Sequence, residues 1–269
     1  MYKNKEQNGI LQYLMLTFLI AWGTEAAIIA GERLEILKGA AGTALIFLLI
    51  GFGAGFAPAY AVCILLKKQG KVKGFKDIFR LILHTPNIKQ AIWITAIFLA
   101  SQLLVNAASE EYTGNPWYLF ILLLPVMVIG GGVEELGWRG FLQPQLEKRF
   151  PFALSALITG VIWGCWHLPL WFVQTSNQSV MNFPSFLLYC ITFGFVLGLL
   201  YWLTKSIFAC VLLHAWGNLL QGMFTRSALT HPVSIKMAVL WGSEILMAII
   251  VSMLITRLKK ERTIINTYK

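Results

Sequence analysis

The sequence predicts an all-α fold, a bundle of about eight membrane-spanning helices with both termini cytoplasmic, and three observations point there. Of 269 residues 57% are hydrophobic and only 13% charged, where a soluble domain carries about 25% charged residues. Apolar runs of about 18 residues or more, enough to cross a bilayer, recur along the whole chain. Lys and Arg collect in alternate connections between those runs. No stretch between the runs is long enough to make a soluble domain, so the chain reads as one polytopic domain over 1–269.

The first run, 10–30, follows Lys3 and Lys5. It is longer than the roughly 7–15 apolar residues of a secretory leader and reads as a retained signal-anchor. The second, 42–66, leads into the longest polar segment, Lys67–Gln90, which holds seven basic residues and the single aspartate, Asp77. Its Phe75, Ile78, Phe79, Leu81 and Ile82 are spaced as an amphipathic stretch lying on the inner leaflet. Runs at 90–108 and 117–142 follow, the latter interrupted by Gly130, Gly131 and Gly132, which loosen a helix or admit close backbone approach. Runs at 152–173, 184–204, 206–224 and 237–257 complete the set. There is no internal repeat, which disfavours a transporter built from two related halves.

With the termini inside, 17 Lys and Arg fall on the inner side and four, Arg33, Lys38, Arg226 and Lys236, on the outer side, the bias of the positive-inside rule. The net charge of +10 then reflects topology and contact with anionic headgroups, and leaves nucleic-acid binding without a role. The chain is expected in the cell membrane as a multi-pass protein. Its four cysteines lie inside apolar runs without CxxC spacing and read as small buried hydrophobes.

Against this background a few polar groups stand out. An ionisable side chain at bilayer depth costs about 2.5–3.5 kcal/mol on insertion scales and usually marks a functional site. Glu134, Glu135 and Arg139 share the run 117–142. Glu135 and Arg139, four apart, share a helical face and can pair, whereas Glu134 points roughly 100° away. This suggests a scaffold pair and a free carboxylate, although all three could form one structural ion cluster. His167 follows Trp163 by one turn, so the rings should stack on one face, and Pro169 opens the backbone just beyond. His214 and Asn218 share a face of the run 206–224. Each histidine segment alone is equally consistent with hydrogen bonding between helices.

Absences narrow the chemistry. One aspartate excludes a two-aspartate protease. No His-Glu-x-x-His and no Gly-x-Ser-x-Gly is present, which removes the common zinc-protease and serine-hydrolase motifs. Cys165 and His167 lie on different helical faces. His84 and His231 fall in interfacial connections and read as structural. A carboxylate base or a metal site remains.

Glu-Glu-x-x-x-Arg, aromatic-x-x-x-His and His-x-x-x-Asn, in this order on successive apolar helices, resemble the motifs of the CAAX-protease and bacteriocin-processing (CPBP, or Abi) family of intramembrane endopeptidases, over about Leu122–Leu220. Trp163 stands where many members have Phe. The resemblance implies that Glu134 is a general base activating water together with His167. It implies that His214 and Asn218 are donors to an oxyanion, and that Glu135 and Arg139 support the fold. It implies a peptide or lipidated-protein substrate and a hydrated cavity, expected to open to the inner face, and it sets no oligomeric state. No cofactor is favoured. The zinc alternative would use Glu134, His167 and His214, and the alternative from another class is a non-catalytic immunity or partner-binding membrane protein that keeps the motif as scaffold. With a helix ending at Leu142, Glu134 falls near the inner edge of the membrane and His167 near the outer half. The two would meet only if boundaries shift, for example with Gln143–Ala156 along the inner surface.

Overall fold

A computed structural model describes the backbone of residues 2–267 and the side chains of residues 9–257 other than Lys236 and Leu240. Lys3, Lys5, Lys236, Lys259, Lys260, Arg262 and Lys269, part of the charge pattern above, lie outside the described side chains.

Helix α1 (Tyr2–Arg33) turns Tyr13, Thr17, Ala21, Glu25 and Ile28 inward, a stripe with helical spacing. The second crossing is made of α2 (Gly39–Leu48) and α3 (Ala57–Lys68), joined through a π turn at Leu49–Ala54. Helix α4 (Phe75–Leu83) has no buried residue. It rests Ile78, Leu81 and Ile82 on the core and leaves Phe75 and Phe79 exposed, as expected of an amphipathic surface helix. Helix α5 (Ile88–Ser109) starts at Asn87, whose side chain accepts from the Gln90 N–H as an N-cap.

The fourth crossing is broken. Helix α6 (Leu119–Gly130) is followed by a 3-10 turn (Gly132–Glu134), one turn of α7 (Glu135–Gly137), a π turn (Trp138–Leu142) and α8 (Gln143–Glu147). Helices α9 (Phe152–Trp166), α10 (Phe183–Thr204), α11 (Ile207–Met223), α12 (Ser227–Thr230) and α13 (Ile235–Thr267) complete the chain. Seven segments among the described residues are long and apolar enough to cross a membrane, and α11 is a shorter apolar helix; together they account for the eight expected. The protein is an all-α, multi-pass membrane protein.

The fourth crossing runs to Glu147 rather than to Leu142, because Pro144 sits in the first turn of α8, where a missing N–H is tolerated. The segment 143–156 therefore does not lie along the surface. This extension removes the depth conflict between the two motif segments. Glu134 lies 13 residues before Glu147 and His167 lies 15 after Phe152, so both sit at similar height above the turn 148–151.

The connections tie the two ends of the bundle. At one end Thr85 Oγ1 and Ser206 Oγ are 2.7 Å apart. At the other, Glu110 accepts from the Thr225 hydroxyl at 2.6 Å, the Ser227 hydroxyl at 2.6 Å and the Ala228 N–H at 2.9 Å. Partial burial pushes the Glu110 carboxyl up, but the hydrogen bonds from Ser227 and Thr225 outweigh it and hold it below the ordinary glutamate range. A depressed carboxyl contributes stability above its unfolded value and loses it as pH falls through the folded one. The wild type should therefore melt above Glu110→Gln at neutral pH, and the gap should close on acidification below the ordinary glutamate range. A pH-independent gap would show that the clamp does not depend on charge.

Candidate active site

Three helices bring the motif residues together. The break after α6 is enforced by contact with α11. A Cβ on Gly132 would lie 2.6 Å from the Val211 carbonyl oxygen, and one on Gly131 would collide with Asn218 Nδ2. Only glycine permits this approach, and it drives Glu134 and Glu135 between α9, α10 and α11.

Glu135 is fully buried. Its Oε1 accepts from Arg139 Nη1 at 2.9 Å and from His214 Nδ1 at 2.8 Å, while Oε2 has no protein partner. Arg139 Nη2 donates to the Gly194 carbonyl at 2.9 Å, and its guanidinium lies 5.7 Å from the Trp163 ring centroid, within cation–π range. Glu135 and Arg139 thus form the expected pair, extended to His214. Glu134 is held separately. Its Oε2 accepts from Trp163 Nε1 at 2.9 Å and Trp138 Nε1 at 3.2 Å, which leaves Oε1 without a protein partner among the described residues.

The histidines are fixed by one nitrogen each. Because His167 N bonds to Gly164 O, the Trp163 carbonyl is released and takes the His167 Nδ1–H at 2.9 Å. The neutral ring then carries its lone pair on Nε2. Trp163 and His167 share a face, but their rings meet edge-on at 5.9 Å and 62°, not stacked, because Trp166 and Phe186 pack edge-on against the same imidazole. His214 Nε2 lies 3.6 Å from the position a Gly131 Cβ would take, beside Asn218 Nδ2. Both nitrogens therefore crowd the space that the missing side chain leaves.

Glu134, His167, His214 and Asn218 all line one cavity of about 310 Å³. Its exposed lining residues are Phe47 of α2, Gly130 at the end of α6, and Asn177 and Gly222 on or beside the loops 173–182 and 222–226.

Glu25 of α1 also lines this cavity, is 1% exposed and leaves Oε2 unpartnered. Sequence reasoning passed over it, although an acidic residue inside an apolar run was the same signal that singled out Glu134. Glu244 of α13 is a second such case; it is bonded to Gln102 Nε2 and does not line the cavity. His231 bonds to Ser227, outside the site, and all four cysteines are free. Among the described residues no three His, Cys, Asp or Glu side chains are grouped to hold one ion. The donor set proposed for zinc is thus not assembled as a ligand set.

A carboxylate with one free oxygen, two singly anchored imidazoles and a carboxamide around a cavity inside a polytopic bundle define a class: multi-pass membrane proteins with a buried polar site. Residues 115–220 match the family model of type II CAAX prenyl endopeptidase Rce1-like proteins, which covers α6 to α11 and every motif residue. Over 112 residues the chain is 30% identical to CAAX prenyl protease 2 of Methanococcus maripaludis, an alignment covering 38% of this chain and 40% of that protein. The segment carrying the site is therefore similar to CAAX prenyl endopeptidases, and the alignment spans less than half the length of the curated relative it matches.

Proposed function

We propose that the protein is an intramembrane endopeptidase of the glutamate type. The observation that carries this reading is Glu134: two indole N–H groups hold one oxygen while the other is open toward a cavity shared with His167, His214 and Asn218. In the reaction a water hydrogen-bonded by His167 Nε2 attacks the peptide carbonyl, and Glu134 Oε1 takes its proton. The oxygen of the carbonyl becomes an oxyanion facing Asn218 Nδ2 and His214 Nε2. Since His214 Nδ1 is engaged by Glu135, donation from Nε2 requires the doubly protonated ring, which makes Glu135 a positioning residue for the oxyanion site. Glu134 returns the proton to the leaving amine and the C–N bond breaks.

The test is cleavage by purified protein of a prenylated CAAX-type peptide and a panel of leader peptides, with and without chelator. Cleavage of at least one peptide that persists in chelator is expected. Loss in chelator restored by zinc would replace the glutamate reading with a metal one. No cleavage of any peptide would favour the partner-binding or immunity reading.

A further inference from the structure

We infer that Glu25 forms a subsite of this cavity that takes a basic side chain, Lys or Arg, from the peptide close to the bond that is cut. This rests on the endopeptidase reading above and adds a substrate class to it.

Glu25 is a carboxylate that the mechanism leaves over. It lies on α1, outside the matched segment 115–220, yet it lines the same cavity as Glu134, His167, His214 and Asn218. It is 1% exposed. Among the described residues nothing donates a hydrogen bond to its carboxyl group, and no Lys or Arg forms an ion pair with it. The other two buried glutamates of the site are served: Glu135 by Arg139 and His214, Glu134 by two indole N–H groups. Arg226 also lines the cavity, but its Nε donates to the Gln221 carbonyl at 2.7 Å and it does not reach Glu25. A carboxylate taken out of water favours a cation beside it, and the protein supplies none here. A peptide with a basic side chain brings one.

The fold fixes where that side chain would go. Trp22, one turn before Glu25, donates its indole N–H to the Trp166 carbonyl at 3.0 Å. Ile28, one turn after it, packs with Ile46 and Leu170 and against Ile50. Between them Thr24 approaches Gly53 so closely that a Cβ there would lie 2.7 Å from Thr24 Cγ2. Glu25 is thus held across from the segment 166–170, which carries His167. Ile50, Ala54, Trp166 and Leu170 line the cavity with it and make an apolar, partly aromatic wall. Lys and Arg bury their methylene stems along such surface while keeping the head on a polar group, and both oxygens of a free carboxylate can accept from a guanidinium or an ammonium. A peptide N–H would engage one oxygen and leave the wall unused. Because Glu134 and His167 face the same cavity, the basic residue is a near neighbour of the scissile bond.

The experiment measures charge preference. Fluorescent peptides share one parent sequence of Ala, Leu and Ser, with a single Lys, Gln or Glu at a position moved along it. Binding to the purified full chain in detergent is read by anisotropy before turnover. The wild type should bind Lys peptides roughly 10–150-fold more tightly than Gln peptides within one short stretch of positions, the range for a hydrogen bond to a charged group. In Glu25→Gln the ratio should fall close to unity, and in Glu25→Lys the Glu peptides should bind best. Glu25→Asp keeps the charge on a shorter arm, so the ratio should shrink without vanishing; this variant decides if the glutamine protein does not fold. A wild type that binds no Lys peptide or shows no Lys preference overturns the inference, as does a preference unchanged in the variants. A preference for Glu peptides would also overturn it and move recognition to Arg226. Lys preference without cleavage of any peptide would sink the peptidase reading and leave the subsite standing. Cleavage without Lys preference would do the opposite.

Discussion

Glu134→Gln is expected to lower peptide hydrolysis by about 10²–10⁴-fold, the range for loss of a general base, with the fold retained. Both indole donors, Trp163 at 2.9 Å and Trp138 at 3.2 Å, address the same carboxylate oxygen. The amide oxygen of glutamine can accept both bonds, so packing at this buried position survives and only the proton acceptor is removed. The measurement is kcat on any peptide the wild type cleaves, together with the unfolding midpoint. Glu25→Gln serves as the comparison, since Glu25 is the other carboxylate among the described residues lining the cavity. A large loss in Glu25→Gln with none in Glu134→Gln would move the base to α1. Unchanged rates in both would remove carboxylate base catalysis from the mechanism.

Local spacing made some of this site legible and left the rest to tertiary structure. Glu135 and Arg139 are one turn apart, so their pairing could be read from the chain, and so could the common face of His214 and Asn218. The eight apolar segments were visible because hydropathy depends on composition over a long window. The links that assemble the site have no such local trace: His214 meets Glu135 across 79 positions, and Trp163 meets Glu134 across 29. The glycines of 130–132 announced a break, but that they admit α11 is decided by the Val211 carbonyl and Asn218. The depth of Glu134 was misjudged by five residues of helix, because the apolar run ends at Leu142 although the polar segment Gln143–Glu147 continues the crossing as α8. The direction of the cavity depends on which ends of α9 and α11 carry the histidine and the asparagine.

Arg139→Met is expected to be the most destabilising substitution in the site, by about 3–5 kcal/mol, because it leaves a buried carboxylate without its main counter-charge. Both side chains of the pair are fully buried, and the guanidinium also satisfies the Gly194 carbonyl at 2.9 Å. Three helical segments therefore lose a common tie at once. The double variant Glu135→Gln/Arg139→Met removes the stranded charge, and its loss should be clearly smaller than the sum of the two single losses. Neighbours in one network show coupling of about 0.5–3 kcal/mol in such cycles. Denaturant unfolding in detergent of the four proteins in the cycle measures it. His214 sharpens the result, since its Nδ1 shares Glu135 Oε1 with Arg139. If His214 alone balanced Glu135, Arg139→Met would cost little and the cycle would be additive; Arg139 would then be a packing group for Gly194 and Trp163, and the scaffold role would pass to the Glu135–His214 bond.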